Sequence, residues 1–330
     1  MTQGDGALWR PPRGRLSGDP GLDIGSQSIP VKKPIPLVRP ARLLALVLAG
    51  VLALAAVIAY RNVRTARAVL HPARQALKPL GDATLPARTD VTLRTRDGLS
   101  LRGWYVPSRN RAAVVVMHGF AENRTQMLFE AEALSRAGYG VLLFDSRGHG
   151  ESDGDLVTWG DREREDLRAA VDFLSARSDV EPSRLGVLGF SMGGTTALLE
   201  ALDDARLKAV AAAGAYPSLV ADTRYSYGKW GPLSVQPVLW TMRLSGVDVD
   251  AVDPMARLCE LKGRPLLLIN GDVDEYAPAF LQDAMFQAAC EPKSYWVVKG
   301  AHHGGYAKQA PEEYARRLRD FFDAALLGGS

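Results

Sequence analysis

Arg184-Leu185-Gly186-Val187-Leu188-Gly189-Phe190-Ser191-Met192-Gly193-Gly194 carries an apolar, strand-like run into a Gly-x-Ser-x-Gly pentapeptide. Thr195-Thr196-Ala197-Leu198-Leu199 follows with a composition and spacing that suit a helix. The order is strand, sharp turn, helix. A side chain at the tip of such a turn takes a strained backbone conformation, and glycine at 189 and 193 lets strand and helix approach without a clash at Cβ. Ser191 is thereby pushed out of the sheet edge as a candidate nucleophile. The N–H of Met192, at the positive end of the helix, points toward any oxygen held over the serine. A Gly/Ser-rich pentapeptide alone is equally a surface loop. The flanking strand and helix start favour the nucleophile reading, which then requires a base and an acid downstream.

The same alternation recurs along the chain. Val91–Thr95 and Leu99–Val106 alternate in polarity around Asp97-Gly98, a dipeptide suited to the positive φ angles of a tight hairpin turn. After this hairpin the period changes. Residues 112–117, 140–144, 185–189, 207–213, 265–269 and 295–298 are short, almost wholly apolar runs, and helix-length segments at 123–137, 160–176, 195–202 and 278–289 lie between most of them. Apolar strands alternating with helices predict a mostly parallel sheet covered on both faces, an α/β fold. Catalytic groups in such a sheet belong at the carboxyl ends of the strands. Four strand ends carry reactive residue types: His118-Gly119-Phe120, Asp145-Ser146-Arg147-Gly148-His149-Gly150-Glu151-Ser152, the Ser191 turn, and Asn270-Gly271-Asp272-Val273-Asp274-Glu275.

From about Thr89 to Leu327 the chain resembles the α/β-hydrolases of the serine esterase, lysophospholipase and peptidase-like group. The resemblance rests on these four motifs in combination with Gly300-Ala301-His302-His303, and on the order nucleophile, acid, histidine along the chain. It implies the α/β-hydrolase fold, a twisted sheet with an N-terminal antiparallel hairpin, helices on both faces and a short helical lid at about 216–263, between the sixth and seventh strands. That lid segment carries Tyr225, Tyr227, Trp230, Leu233, Val238, Leu239, Trp240, Met242 and Leu244. These side chains either form an apolar cap over the serine or pack the lid onto the body.

Attack by a hydroxyl at neutral pH needs a base within hydrogen-bond reach and an anion to hold that base. Five histidines are available: His71, His118, His149, His302 and His303. His71 falls in a linker. The resemblance makes His118 and His149 loop-shaping residues and draws the base from the adjacent pair 302 and 303, of which its spacing selects His303. His302 departs from the family pattern and stays open as a surface residue, a supporting donor or the base itself. Asp272 and Asp274 both follow Gly271; the family spacing selects Asp274 as the acid and leaves Asp272 to turn the loop. Asp253 reads as a helix cap and Glu275 as solvated. The resemblance further implies that the Phe120 backbone N–H joins that of Met192 in an oxyanion hole, with Asp145 and Arg147 organising their loop.

The Gly-rich turns lack the Lys-Ser/Thr of a phosphate loop and the spacing of a dinucleotide fingerprint, and His and carboxylate spacing shows no zinc motif. No cofactor and no metal are expected. A chain of 330 residues with 47% hydrophobic and 23% charged residues is long enough for one large core, and a net charge of +3 is too small to argue for a nucleic-acid partner. Cys259 and Cys290 lack metal-ligand spacing and are expected as unpaired thiols, a disulfide being the alternative. Residues 1–40, rich in Pro, Gly and basic groups, are expected as a disordered tail. Leu43 to Tyr60 forms 18 residues without a charge, bounded by Arg42 and Arg61. As a helix it measures about 27 Å, close to the roughly 30 Å hydrocarbon core, so a single transmembrane helix is expected at 41–61, followed by a linker at 62–88 and the hydrolase domain at 89–330. Basic residues on both flanks leave its orientation open. The sequence therefore points to a single-pass, membrane-anchored serine hydrolase for a small hydrophobic ester or lipid, with a peptidase, an acyltransferase or a non-catalytic binding protein as alternatives, and says nothing of oligomeric state.

Overall fold

A computed structural model describes residues 40–80, 85 and 87–328. The tail expected over 1–40 lies, except for Pro40, outside the described residues. Helix α1 spans Pro40–Leu70, and its apolar side chains from Leu43 to Ile58 are exposed. It runs nine residues beyond the expected end of the apolar segment, because Arg61 to Leu70 has no helix breaker and Pro72 is the first residue that disfavours helix in front of it.

The residues from Leu52 onward form one compact unit. Much of the segment expected as a linker belongs to it. Ala66 and Leu70 are buried, the Val157 N–H donates to Leu70 O at 2.8 Å, and the Trp159 Nε1–H donates to Val69 O at 3.0 Å. The Arg74 guanidinium donates to the carbonyls of His149, Gly150, Ser152 and Gly154, and Asn123 Nδ2 donates to Gln75 O and Ala76 O. Residues 66–76 are therefore a strap bound along the body. The linker reading is corrected there, since local composition carries no sign of partners that lie far along the chain.

The sheet has eight strands in the order β1-β2-β4-β3-β5-β6-β7-β8. They are β1 (Thr89–Arg94), β2 (Ser100–Val106), β3 (Ala113–Met117), β4 (Gly140–Phe144), β5 (Leu185–Phe190), β6 (Leu207–Ala213), β7 (Leu266–Gly271) and β8 (Lys293–Val298). The β1–β2 and β2–β4 pairs are antiparallel and all others parallel. The hairpin turn differs in detail from a two-residue turn. Gly98 N–H donates to Thr95 O, Thr95 N–H donates to Leu99 O, and only Gly98 has positive φ, the geometry of a longer loop closed by a glycine bulge.

Alternate side chains of each strand feed two cores. Val115, Leu142 and Val187 pack on one face against Leu167 and Val171 of α3 (Glu163–Ser175), Leu198 of α4 (Met192–Asp203) and Met285 of α7 (Ala279–Ala288). Val114, Leu143 and Leu188 pack on the other against Leu134 of α2 (Leu128–Arg136) and Tyr314, Leu318 and Phe322 of α9 (Pro311–Phe322), which follows the short α8 (Tyr306–Gln309). Between β6 and β7 lies the helical lid, α5 (Leu219–Tyr227) and α6 (Pro232–Leu244), whose Val235, Val238, Leu239 and Met242 form a third cluster with Leu70, Met192 and Tyr216. A disulfide joins Cys259 and Cys290, so the expectation of unpaired thiols is corrected. Cys259 precedes β7 and Cys290 precedes β8; because these strands run parallel, the two residues arrive at the same end of the sheet despite their separation in sequence.

Candidate active site

Ser191 sits between β5 and α4 with φ 52° and ψ −118°, a conformation non-glycine residues rarely take. Its own N–H donates to Ala213 O on the neighbouring strand at 2.8 Å, and its carbonyl accepts from Thr195 N–H at 3.0 Å. The crossing is too close for side chains at the two flanking glycines. A Cβ on Gly189 would lie 2.2 Å from Gly193 O, and one on Gly193 would lie 2.5 Å from His118 O.

Three side chains from three strand ends meet here. His303 Nε2 lies 3.0 Å from Ser191 Oγ, and His303 Nδ1 lies 2.8 Å from Asp274 Oδ2 and 3.1 Å from Oδ1. Asp274 also accepts from the N–H groups of Tyr276 and Ala277, at 2.9 and 2.8 Å, and from the Tyr306 hydroxyl at 3.1 Å. Burial pushes the Asp274 carboxyl up, but the His303 contact and these backbone donors outweigh it and hold the group below the usual carboxylate range. His302, by contrast, has a side chain 73% exposed and pairs with Glu275 at 3.2 Å, so it is a surface residue. Glu275, expected as solvated, is its surface partner. Asp272 accepts from Gly300 N–H and ties the loop after β7 to the loop after β8, while Asp253 accepts from Ala256 N–H at 3.1 Å, in the capping arrangement expected of it.

The loops after β3 and β4 are fastened by the other two histidines. His118 Nε2 accepts from Ser146 N–H at 2.9 Å and its Nδ1 faces Gly119 O at 2.7 Å; His149 Nε2 accepts from Ala121 N–H at 3.0 Å and its Nδ1 faces Arg147 O at 2.9 Å. A ring nitrogen that accepts cannot carry the proton, so both rings are neutral with hydrogen on Nδ1. Burial, with the neighbouring His149, lowers the His118 pKa to about 3. Asp145 accepts from the Arg124 backbone and guanidinium and from Glu151 N–H, and the buried Arg147 guanidinium binds Asp166 and Asp97. This lattice aims the backbone of Phe120. Neither the Phe120 N–H nor that of Met192, in the first turn of α4, has an acceptor among the described residues.

Residues 108–245 match the family model described as serine aminopeptidase, S33. An uncharacterized protein of Mycobacterium tuberculosis, Rv2307c in strain H37Rv, is 34% identical over 228 residues, which is 68% of this chain and 75% of the relative. The polyketide transferase ATR5 of Stachybotrys chlorohalonatus is 38% identical over 133 residues, 38% of this chain and 43% of the relative. Among solved structures, the Pyrococcus furiosus esterase Pf2001 superposes with a TM-score of 0.63 at 25% identity, over 77% of this chain and 99% of that one. The chain belongs to the α/β-hydrolase superfamily.

In this hydrolase a cavity of about 710 Å³ opens onto Ser191 and His303. Phe120, stacked on Trp159 with ring centroids 4.5 Å apart, walls it together with Phe190, Tyr216, Tyr227 and Met242. The lid side chains named from sequence divide into three groups. Tyr227 and Met242 line the cavity, Val238 and Leu239 pack the lid, and Tyr225, Trp230, Leu233, Trp240 and Leu244 are exposed. The sequence reading missed Tyr306, Gln126, Asp222 and Val69. Tyr306, three residues after His303, had a positional signal; Gln126, whose Oε1 accepts from Gly119 N–H at 2.8 Å, and the cavity-lining Asp222 and Val69 had none. Among the described residues no group of three or more His, Cys, Asp or Glu side chains is placed to hold a metal ion.

Proposed function

We propose that this hydrolase is a membrane-anchored serine esterase that acts through an acyl-enzyme on Ser191, with lipid esters and thioesters among its substrates. The carrying observation is the unbroken hydrogen-bond chain from Ser191 Oγ through His303 to Asp274, beside two unpaired backbone N–H groups. In this reading His303 Nε2 takes the serine proton as Oγ attacks the carbonyl carbon, and Asp274 stabilises the imidazolium. The Phe120 and Met192 N–H groups receive the negative oxygen, each donor being worth about 10²–10³ in rate. His303 then returns the proton to the leaving oxygen, and a water repeats the cycle to release the acid. The Pyrococcus esterase supports ester as the bond. The 18-residue uncharged stretch of α1 supports the anchor.

The test is a fluorophosphonate probe followed by p-nitrophenyl esters of increasing acyl length. The wild type is labelled and turns over esters, and Ser191→Ala loses both, with kcat down by about 10⁴–10⁶. Labelling that persists in Ser191→Ala removes Ser191 from the mechanism. A correctly folded protein that hydrolyses no ester would favour a non-catalytic binding role. The partial match to a polyketide transferase supports a second reading, acyl transfer; product that requires an added alcohol acceptor would establish it. Cleavage of aminoacyl amides in preference to esters would establish a peptidase instead.

A further inference from the structure

Two carboxylates line the cavity over Ser191 outside the chain Ser191–His303–Asp274, and one of them has no partner among the described residues. Asp222, on α5 of the lid, lines the cavity, and its side chain makes no hydrogen bond or ion pair among the described residues. The acid position is already filled by Asp274, which occupies His303 Nδ1. The other acidic residue of the lining, Glu122, lies at 3.5 Å from Lys78. Among the described residues no lysine or arginine lines the cavity. The lining also holds Leu219, Thr223, Ser226, Tyr216, Tyr227 and Met242, and the Thr223 hydroxyl is turned away, donating to Leu219 O. The Tyr216 hydroxyl likewise donates to Trp159 O.

Asp222 is half-buried, so a carboxylate without a protein partner in this wall loses part of its hydration with nothing to replace it. Burial, offset in part by the nearby His303, pushes the Asp222 pKa up to about 7. A bound cation would remove that cost. We infer that Asp222 is a recognition residue for a positively charged nitrogen, so that the preferred substrates of this hydrolase carry an ammonium group within reach of the scissile ester, while carboxylate- or phosphate-bearing esters are disfavoured. The inference rests on the hydrolase reading for the word substrate, but the subsite itself does not need turnover. The ammonium can enter on the acyl side or on the alcohol side, and the two are separable by experiment.

The acyl arm compares p-nitrophenyl 6-aminohexanoate with p-nitrophenyl hexanoate, and the alcohol arm compares butyrylcholine with 3,3-dimethylbutyl butyrate, its uncharged carbon counterpart. The readout is the charged-to-neutral ratio of kcat/KM in the wild type, Asp222→Asn and Asp222→Glu. In one of the arms the wild-type ratio is about 10–100, the range of a charge-assisted hydrogen bond for the primary ammonium and of a partly desolvated ion pair for the quaternary one; Asp222→Asn collapses it toward one and Asp222→Glu restores much of it. The second measurement is calorimetric binding of hexylammonium against 1-hexanol, to the wild type, Asp222→Asn and Ser191→Ala. Ser191→Ala keeps the preference for hexylammonium, and Asp222→Asn loses it. Equal binding of the two by the wild type, or a preference that survives in a folded Asp222→Asn, overturns the subsite. An intact binding preference with no hydrolysis of any ester overturns the hydrolase reading and leaves the subsite standing.

Discussion

Ser191 keeps its hydroxyl on a backbone that costs about 1–3 kcal/mol for a residue with a Cβ, and the surrounding hydrogen bonds to Ala213 and Thr195 hold it there. The neutral histidines 118 and 149 spend both ring nitrogens on backbone, which explains how one site can contain several histidines and leave one of them facing the serine. Tyr306 touches Asp274 but does not line the cavity. Tyr306→Phe is therefore expected to lower kcat by about tenfold with KM unchanged, since the hydroxyl is a donor to the anion and has no part in holding substrate. Steady-state kinetics over the ester series checks this; a change confined to KM would place Tyr306 in binding instead. Ser191 is legible from its own motif, and Asp274 and His303 from the resemblance to the α/β-hydrolases. The choice between His302 and His303 at the serine needs coordinates, because adjacent side chains point apart and only the fold says which one faces inward.

At the scale of elements, α2 packs on the sheet with Glu130 buried beside Tyr314 of α9, and Glu130 Oε2 has no hydrogen-bond partner among the described residues. Burial raises the Glu130 pKa from 4.5 to about 7. The folded state therefore holds the proton more tightly than the unfolded chain, so this residue costs nothing below pH 4.5 and destabilises progressively as pH rises toward 7. Glu130→Gln is expected to stabilise the protein at pH 8 by on the order of 2–3 kcal/mol and to have little effect at pH 4.5. Urea unfolding at the two pH values measures it, and an equal change at both would show that the charge is not the cause. The strap from Ala66 to Ala76 makes a second prediction. A fragment beginning at Thr65 keeps Leu70, Arg74 and the cavity residue Val69, whereas one beginning at Pro79 loses them and is expected to melt roughly 10 °C lower. Thermal melts of the two fragments decide it, and equal Tm values would return the segment to the status of a linker.

For the whole molecule, the Cys259–Cys290 disulfide lies in the hydrolase body that follows α1 in the chain. Disulfides persist in oxidising compartments. If α1 spans a membrane, a disulfide in the hydrolase body calls for a domain on the non-cytoplasmic side, an orientation the flanking charges leave open. A thiol-reactive polyethylene glycol maleimide is then expected to shift the protein from intact cells only after reduction, and Cys259→Ser paired with Cys290→Ser to lose about 3–4 kcal/mol of stability, the loop-closure value for this separation. Labelling without reduction would put the domain in a reducing compartment.

Local pattern alone determined most of the architecture. The strands sit where short apolar runs end in His118, Asp145, Ser191 and Asn270, and the helices sit between them, because burial on both faces of a parallel sheet demands a short continuous apolar run, unlike the alternating β1 and β2 or the much longer run of α1. What only the tertiary structure decided are pairings between residues far apart in the chain: the strap on the body, the disulfide, the lid side chains that face outward, and Asp222 in the cavity wall. Each depends on where a long connection places its ends. A sequence records the chemistry of a side chain, while the partner it meets is set by how the whole chain packs.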